Sequence, residues 1–343
     1  MSVRVIGIDL GKTVFHLIGM DEDGSVVLKK RFSRSQLLKF LVNVPPCLVG
    51  MEASCGCHHI GRQLVTFGHD VRLIPAQFVK PFVKSQKNDY RDAEAIAEAV
   101  QRPTMRFVPI KSEEQLDIQA MHRVRERLLE QRKSLVNQLR AFFLERGLIV
   151  RTGRAYLWRV LPDVLAHAEQ IVSPRMFRLI AAIVQQWRAL EMQIDDLDRE
   201  IASIAETDDA CQRLQTVPGV GPLAATAMVA AVGNGSAFRK GREFSAWLGL
   251  IPQQCSTGGQ TKLLGISKRG NEYLRRLFIH GARSVCLHVK RERHAWGRWI
   301  TALRERKPSN VATVALANKL ARIAWSVLSR DQEYRHRSPE PAL

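Results

Sequence analysis

Runs of apolar residues alternate with short polar turns over residues 1–108, a pattern that predicts strands and short helices. The strand-like runs are Val3–Asp9, Val14–Met20, Ser25–Lys29, Cys47–Met51 and Asp70–Ile74. Helical spacing is found at Ser35–Val42, His59–Phe67 and Tyr90–Gln101. The order βββαβαβα predicts a mixed sheet with helices on its faces, so this region is an α/β domain.

Two long stretches in the middle of the chain have apolar residues three or four positions apart. The first runs from Ser112 to Arg146 and the second from Phe177 to Ile204. Charged residues fill the positions between, so each stretch forms an amphipathic helix with one narrow apolar stripe. Two such helices predict an antiparallel coiled coil over residues 109–208, within one chain or between chains. The link between them, Gly147–Ser173, is predicted to be irregular.

Residues 209–330 are predicted to form a mostly helical domain, which makes the whole chain α/β plus α. Its helices are expected at Lys240–Leu248, Arg269–Val289, Ala295–Arg306 and Asn310–Leu328. The Gly/Pro-rich turn Val217–Pro222 resembles a helix-hairpin-helix, whose turn amides can hold a phosphate, and an ordinary tight turn explains it equally well. Residues 331–343 are polar, contain two prolines and are predicted to be disordered.

The charge balance favours a polyanionic partner. The chain of 343 residues has 52 Lys and Arg against 33 Asp and Glu, a net charge of +19. The stretch 238–307 holds 16 basic and 4 acidic residues, and its excess of 12 favours nucleic acid over a merely solvated face. The six cysteines are scattered, and no apolar run approaches the ~20 residues that cross a membrane. These features predict a cytoplasmic protein with reduced thiols and no membrane partner.

Four carboxylates lie where the predicted elements end or begin. Asp9 and Glu52 follow apolar strands, while Asp89 and Asp92 are one helical turn apart. Like charges brought together repel, and a divalent cation relieves that repulsion. Hard oxygen ligands suit Mg²⁺ or Mn²⁺, and pairs of such ions assist phosphoryl transfer. Each acid alone is explained as a strand end or a helix N-terminal charge, but the set of four predicts a metal site.

A second candidate site is Leu248–Gly259, where Ser256 and Thr257 precede two glycines. Glycines let the backbone approach a large substrate closely. Five basic residues follow that could position phosphates or stabilise charge in phosphoryl transfer: Lys262, Lys268, Arg269, Arg275 and Arg276. A serine there could attack a phosphodiester. From the chemistry alone, a polar loop that only positions phosphate is the better explanation.

Together these motifs resemble the DEDD transposases of the insertion-sequence one-ten type, especially the eleven-eleven group, which are described as bridge-RNA-guided serine recombinases. The resemblance covers nearly the whole chain and is specific as a set, although no single block is. Its N-terminal motifs are Gly7–Asp9, Met51–Ala53 and Lys87–Ala93. Its C-terminal motifs are Pro218–Gly221, Trp247–Pro252 and Gly265–Gly270.

The resemblance implies an RNase-H-like, RuvC-like N-terminal domain that binds Mg²⁺ through the four acids Asp9, Glu52, Asp89 and Asp92. It implies that Ser256 attacks DNA and forms a phosphoserine link. Thr257 is the alternative nucleophile, because some relatives place the serine directly before the first glycine.

The resemblance also implies partners. An element-encoded guide RNA would pair with donor and target DNA. The central helices would join subunits into a homodimer or homotetramer, and the protein would be nucleoid-associated. Two alternatives remain open: a RuvC-like, Mg²⁺-dependent nuclease that hydrolyses DNA with water, and a non-enzymatic nucleic-acid-binding protein.

Overall fold

The computed structural model describes residues 3–84, 88–166, 172–288 and 296–335. The chain divides into two compact units, Met1–Glu113 and Glu114–Leu343. The boundaries expected at 108/109 and 208/209 remain predictions. Some positions used in the sequence analysis lie outside the described residues, among them Lys87 of an acidic motif and the helix ends expected at Val289 and Ala295.

A five-stranded mixed sheet forms the centre of the first unit. Its strands are β1 (Val5–Leu10), β2 (Val14–Met20), β3 (Val26–Ser33), β4 (Leu48–Glu52) and β5 (Asp70–Ile74). In space they follow the order β3-β2-β1-β4-β5. The neighbours β1, β4 and β5 are parallel, and β2 runs antiparallel between β1 and β3. The predicted mixed sheet is therefore confirmed.

Helices cover both faces of this sheet. They are α1 (Arg34–Leu41), α2 (Cys57–Thr66), the short α3 (Ala76–Val79) with a 3-10 turn (Lys80–Phe82), and α4 (Asp89–Val100). On one face α1 and α2 share a core with Ile6, while on the other face α4 shares a core with Val5. Successive strand residues point to opposite faces, which is why these neighbours belong to different cores.

Three helices follow: α5 (Glu113–Leu144), α6 (Arg154–Ala166) and α7 (Pro174–Thr207). In the second unit, Arg132 Nη1 donates to Glu191 Oε2 at 3.0 Å, and Arg125 pairs with Asp198. Because the partner's number falls as the α5 number rises, α5 and α7 run antiparallel. The two predicted long helices are present, and their packing as a coiled coil remains a prediction.

The link between the long helices is not irregular throughout, contrary to the prediction, because its described part contains α6. Leu157 and Leu161 of this helix are buried in one core with Trp187 of α7. Pro162 lies inside the helix and masks it in the sequence, since proline usually ends a helix. The two leucines one turn apart were the available signal.

The remaining helices of the second unit form one large core. They are α8 (Asp209–Gln215), α9 (Pro222–Val232), α10 (Gly241–Trp247), α11 (Glu272–His288), α12 (Gly297–Arg306) and α13 (Ser309–Arg330). By length and composition α13 could span a membrane, contrary to the expectation that no run approaches that length. Half of its apolar stretch is buried, and Leu316, Ala317 and Leu320 lie fully inside the core, as in a core helix.

The described part of the predicted disordered tail contacts the helical domain through Asp331 and Tyr334. The Arg213 guanidinium pairs with Asp331 at 2.8 Å, and the Tyr334 N–H donates to Thr216 Oγ1 at 2.8 Å. The Tyr334 ring also contacts Trp296, with 5.6 Å between ring centroids. Residues 336–343 lie outside the described residues.

The segment after α10, predicted as a loop, is a β-hairpin of β6 (Pro252–Thr257) and β7 (Gln260–Ile266). Gly258 and Gly259 form its turn with φ angles of +56° and +80°. A type I′ turn needs positive φ at both central residues, so two adjacent glycines suit it. A glycine pair between two extended polar runs was the signal for this hairpin.

The turn between α8 and α9 packs against α11 through two glycines. Gly219 has a φ of +84°, and a Cβ atom there would lie 2.8 Å from Gly281 O. A Cβ atom on Gly281 would in turn overlap Gly219 O. Close backbone packing therefore accounts for Gly219, which favours the tight-turn explanation, and the helix-hairpin-helix remains a prediction.

A buried histidine connects α5 with α9 and α11. His122 Nε2 lies 3.0 Å from Thr226 Oγ1, whose hydroxyl donates to Pro222 O. Nε2 is therefore the donor, and Nδ1 accepts from Tyr273 Oη at 2.9 Å. Burial, followed by the charge of Arg125, lowers the pKa of His122 to about 4, so the ring is neutral at physiological pH.

Candidate active site

Two glycines on neighbouring strands let α4 lie directly on the sheet. A Cβ atom at Gly7 of β1 would overlap Ala93 O, and one at Gly50 of β4 would lie 2.8 Å from Val100 Cβ. Because glycine leaves this space free, the helix approaches both strands closely. The acidic first turn of α4 thereby reaches the carboxyl end of β1.

Three of the four predicted carboxylates meet at this edge of the sheet. Asp9 of β1 and Asp89 and Asp92 of α4 each offer an oxygen, and these oxygens lie within 4.8 Å of one another. Glu52, the last residue of β4, is outside that group but next to it. Burial, followed by the charge of Asp92, raises the pKa of Glu52 above its usual value.

Asp9 is strongly affected by its surroundings. Burial, followed by the charges of Asp92, Asp89 and Glu52, raises its pKa from 3.8 to about 6, and His16 acts in the opposite direction. Protons and cations therefore compete for this carboxylate near neutral pH. A set of mutually repelling oxygen donors fits a hard divalent cation such as Mg²⁺ or Mn²⁺.

His16 belongs to the same site, although the sequence pattern did not indicate it. It is the cross-strand partner of Asp9 in the β1–β2 hairpin, so both side chains lie on one face of the sheet. Its Nδ1 lies 3.5 Å from Asp89 Oδ2, and its ring packs edge-on against Tyr90 with 4.7 Å between centroids. The register of the hairpin, once assumed, would have identified it.

The β6–β7 hairpin presents the two candidate nucleophiles on opposite faces. Ser256 and Thr257 are consecutive residues of β6, and successive side chains of a strand alternate. All residues of β6 are exposed, so both faces of this strand are accessible. Gln254 lies on the face of Ser256, and its Nε2 donates to Ser256 Oγ at 2.7 Å. The two hydroxyls are therefore not equivalent by position.

Three of the predicted basic residues are exposed, in or beside the hairpin: Lys262, Lys268 and Arg269. Lys262 pairs with Cys255 across the hairpin, which places it on the face of Thr257 and not on that of Ser256. Among the residues that the structure describes, none of these three cations has an ion-pair partner. They are available to a phosphate.

The other two predicted basic residues are engaged within the fold. Arg275 is only 8% exposed, and its Nη1 donates to Leu248 O at 3.0 Å and to Arg269 O at 3.3 Å. Arg276 pairs with Glu126 of α5. Arg275 thus holds the backbone that carries the exposed cations, and its position does not favour a direct phosphate contact.

Hard oxygen donors at the ends of adjacent parallel strands are typical of enzymes that transfer phosphoryl groups with the help of metal ions. Comparison with known proteins identifies the family within that class. A DEDD transposase model of the IS110 type matches residues 6–146. A second model, described as "Transposase IS116/IS110/IS902 family", matches residues 211–296.

Relatives match over nearly the whole chain. A "Probable family 20 transposase" of Pseudomonas aeruginosa is 47% identical, over 98% of this chain and 99% of its own. The transposase for insertion sequence element IS1328 of Yersinia enterocolitica is 42% identical, over 96% of this chain and 98% of its own. The transposase for IS1111A of Coxiella burnetii is 41% identical, over 97% and 92%.

The chain therefore belongs to the IS110/IS116 family of DEDD transposases. It is the transposase of an insertion sequence, an enzyme that acts on DNA. The non-enzymatic alternative no longer stands.

Proposed function

We propose that this transposase exchanges DNA strands through a covalent link between Ser256 and a DNA phosphate, assisted by Mg²⁺ and guided by an element-encoded RNA. The observation that carries the metal-assisted part of the proposal is the meeting of Asp9, Asp89 and Asp92 within 4.8 Å. Carboxylates this close repel one another, so a site that keeps them together is explained by a cation that they bind.

The metal would be held by the carboxylate oxygens of Asp9, Asp89 and Asp92, with Glu52 completing the set. A divalent ion bound there supplies positive charge to phosphate oxygens as negative charge develops on them. Mn²⁺ fits the same oxygen donors. Asp9 must be ionised to bind it, so occupancy should rise as the pH passes about 6.

Ser256 would act as the nucleophile. Its Oγ attacks the phosphorus of a phosphodiester, the bond from phosphorus to the departing strand breaks, and the departing oxygen takes up the serine proton through solvent. A hydroxyl of the incoming strand later attacks the phosphoserine and releases Ser256. The number of phosphoester bonds is conserved, so no external energy source is needed. The Gln254 amide supports this role, because a donor 2.7 Å from Oγ stabilises the developing alkoxide.

Exposed cations and base pairing would divide the work of recognition. Lys262, Lys268 and Arg269 would contact phosphates, while Arg275 would hold the backbone behind them and Arg276 would stay paired with Glu126. Guide RNA would read donor and target DNA by pairing, which needs no base contacts from the protein. A homodimer or homotetramer in the cytoplasm, on the nucleoid, is the assembly that we propose.

A second candidate is a hydrolytic nuclease in which water replaces Ser256. The acidic cluster alone favours it, since metal-activated water needs no protein nucleophile. The two differ in one product: transfer through serine leaves DNA covalently bound to the protein, and hydrolysis does not.

A covalent-trapping assay tests the proposal. The full chain, the RNA of the element, Mg²⁺ and end-labelled DNA are mixed, denatured and separated, and label on the protein is measured. We expect an adduct with the wild type and with Thr257→Ala, but none with Ser256→Ala. Thr257→Ala is a matched control, because it removes the neighbouring hydroxyl from the opposite face of the strand.

Other outcomes would contradict parts of the proposal. An adduct that persists in Ser256→Ala and disappears in Thr257→Ala would move the nucleophile by one residue. Mg²⁺-dependent cleavage without any adduct would support the hydrolytic nuclease. Cleavage that survives Asp9→Asn would refute the metal site.

A further inference from the structure

A cavity of about 790 Å³ lies in the second unit among α10, α12 and α13. Its size falls within the range of pockets that hold small organic ligands. Its lining combines four cations with two indoles: Lys240, Arg242, Lys319, Arg322, Trp299 and Trp325. No carboxylate is among its described lining residues. These cations are different from those of the hairpin region.

The cavity is prepared for negative charge. Among the described residues, none of its four cations has an ion-pair partner. Burial, followed by the charge of Arg322, lowers the pKa of Lys319, as expected where cations crowd together. Four like charges around one opening repel one another, and an anion inside would relieve that repulsion.

The two indoles differ in how they are held. Trp325 is fixed, because its Nε1 donates to Gly235 O at 3.0 Å and its ring packs against Gly241, where a Cβ atom would lie 3.1 Å from Cε3. Trp299 is 37% exposed, and the Lys319 ammonium lies 4.6 Å from its ring centroid. The Lys319 ammonium lies over the Trp299 ring, and the exposed part of that ring offers an aromatic surface next to this cation.

An exposed aromatic ring beside backbone-neutralising cations is how proteins hold unpaired nucleotides. The ring stacks on a base, and the cations contact the phosphates on either side. Paired bases inside a duplex are already stacked on their neighbours and cannot reach a ring inside a cavity.

We infer that this cavity binds an unpaired nucleotide of a nucleic-acid strand, with its base on Trp299 and its phosphates among the four cations. The inference rests on the proposed function in taking nucleic acid as the ligand, and it adds a site for a single strand. Single-stranded DNA and RNA share this chemistry, so the experiment includes both.

Fluorescence anisotropy with the full-length protein tests the site without any catalytic step. The probes are labelled oligo(dT) and oligo(U) of about eight nucleotides, an abasic sugar-phosphate strand and a duplex of the same length. We expect the wild type to bind a strand with bases about tenfold more tightly than the abasic strand, and Trp299→Ala to remove that difference. Trp299→Phe should restore most of it, which separates lost stacking from misfolding.

Matched controls come from the same chain. Trp158 of α6 is exposed to a similar degree, 42%, and Trp158→Ala should keep the preference for bases. Arg322→Gln should weaken binding of strands with and without bases by the same factor. It should also reduce the slope of log affinity against log salt by about 0.7, the value for one phosphate contact on a single strand. Lys133→Gln, an exposed cation of α5, should leave that slope unchanged.

The result for Trp299→Ala decides the inference. If that variant keeps the full preference for bases, or loses duplex affinity as much as single-strand affinity, the site is refuted while adduct formation by Ser256 is unaffected. If the wild type binds no nucleic acid even at low salt, the proposed function fails together with it. Whichever of oligo(dT) and oligo(U) depends more on Trp299 identifies the strand.

Discussion

Replacing Asp9 by asparagine removes one charge from the acidic cluster without changing the size of the side chain. Burial and three neighbouring carboxylates raise the pKa of Asp9 from 3.8 to about 6. A raised pKa means that the folded state binds the proton more tightly than the unfolded state does, so the ionised form destabilises the fold. A pKa raised by about 2 corresponds to a loss of folding stability of at most about 3 kcal/mol when Asp9 ionises. Partial exposure of Asp9 reduces this loss to about 1–2 kcal/mol.

The sign of the pH dependence follows from the same values. Below pH 3.8 Asp9 is mostly protonated in both the folded and the unfolded state, so the fold does not bear the cost of its buried charge. Between 3.8 and about 6 the folded state holds more protons than the unfolded state, so stability falls as the pH rises. Above about 6 the fold bears that cost in full. Asp9→Asn should therefore match the wild type in acid and exceed its free energy of unfolding by about 1–2 kcal/mol near neutral pH.

Urea unfolding in EDTA, followed by circular dichroism at several pH values, measures this difference. Adding Mg²⁺ should stabilise the wild type and leave Asp9→Asn nearly unchanged, because only the intact site binds the ion. Asp23→Asn, which changes an exposed acid in the β2–β3 turn of the same unit, is the matched control and should be neutral. A variant less stable than the wild type in EDTA at neutral pH would refute the reasoning from charge repulsion.

Three further predictions concern packing, a buried ring and the nucleophile. Gly7→Ala should lower the free energy of unfolding in urea by about 3 kcal/mol, since its Cβ would overlap the α4 backbone. Gly265→Ala has open space around it and should be nearly neutral. Equal losses of stability in the two variants would contradict this prediction. His122→Phe should cost about 2 kcal/mol through two lost hydrogen bonds. The pKa of His122 is about 4 in the folded state and 6.5 ordinarily. Wild-type stability should therefore fall as the pH drops from 6.5 to about 4, and the stability of His122→Phe should fall less. Parallel stability curves for the two proteins would refute the buried, neutral state of His122. Gln254→Ala should slow adduct formation by about tenfold to a hundredfold in single-turnover trapping, and an unchanged rate would remove it from the site.

Local patterns identified the five strands of the sheet, although β3 continues to Ser33, beyond the predicted end at Lys29, because it pairs with β2 along that length. Strands such as β5 are short apolar runs bounded by polar turns, and the structure places that strand at Asp70–Ile74, as predicted. Local patterns missed two elements, α6 and the β6–β7 hairpin. Pro162 concealed α6, and the polar composition of Pro252–Ile266 concealed a hairpin whose turn depends only on two glycines.

The residues of the candidate active site also differ in whether the sequence alone could identify them. Strand ends and helix starts are local features, so the four acids could be identified from sequence. His16 could not, because its place opposite Asp9 depends on the register between two strands. The close approach of α4 to Gly7 and Gly50 could not be predicted either, since a glycine in a strand does not reveal that a helix lies against it.

The basic residues show why charge alone does not identify a binding surface. Arg275 and Arg322 have the same side chain, yet Arg275 is buried and donates to two backbone carbonyls, while Arg322 lines an open cavity. Sequence records the charge of a guanidinium, but burial decides whether that charge is satisfied by the fold or left for a ligand. The 16 basic residues of 238–307 are therefore an upper limit on the cations that this stretch can offer to phosphates, and those that the fold engages reduce that number. Arg322 and Lys319, which line the cavity, lie beyond that stretch.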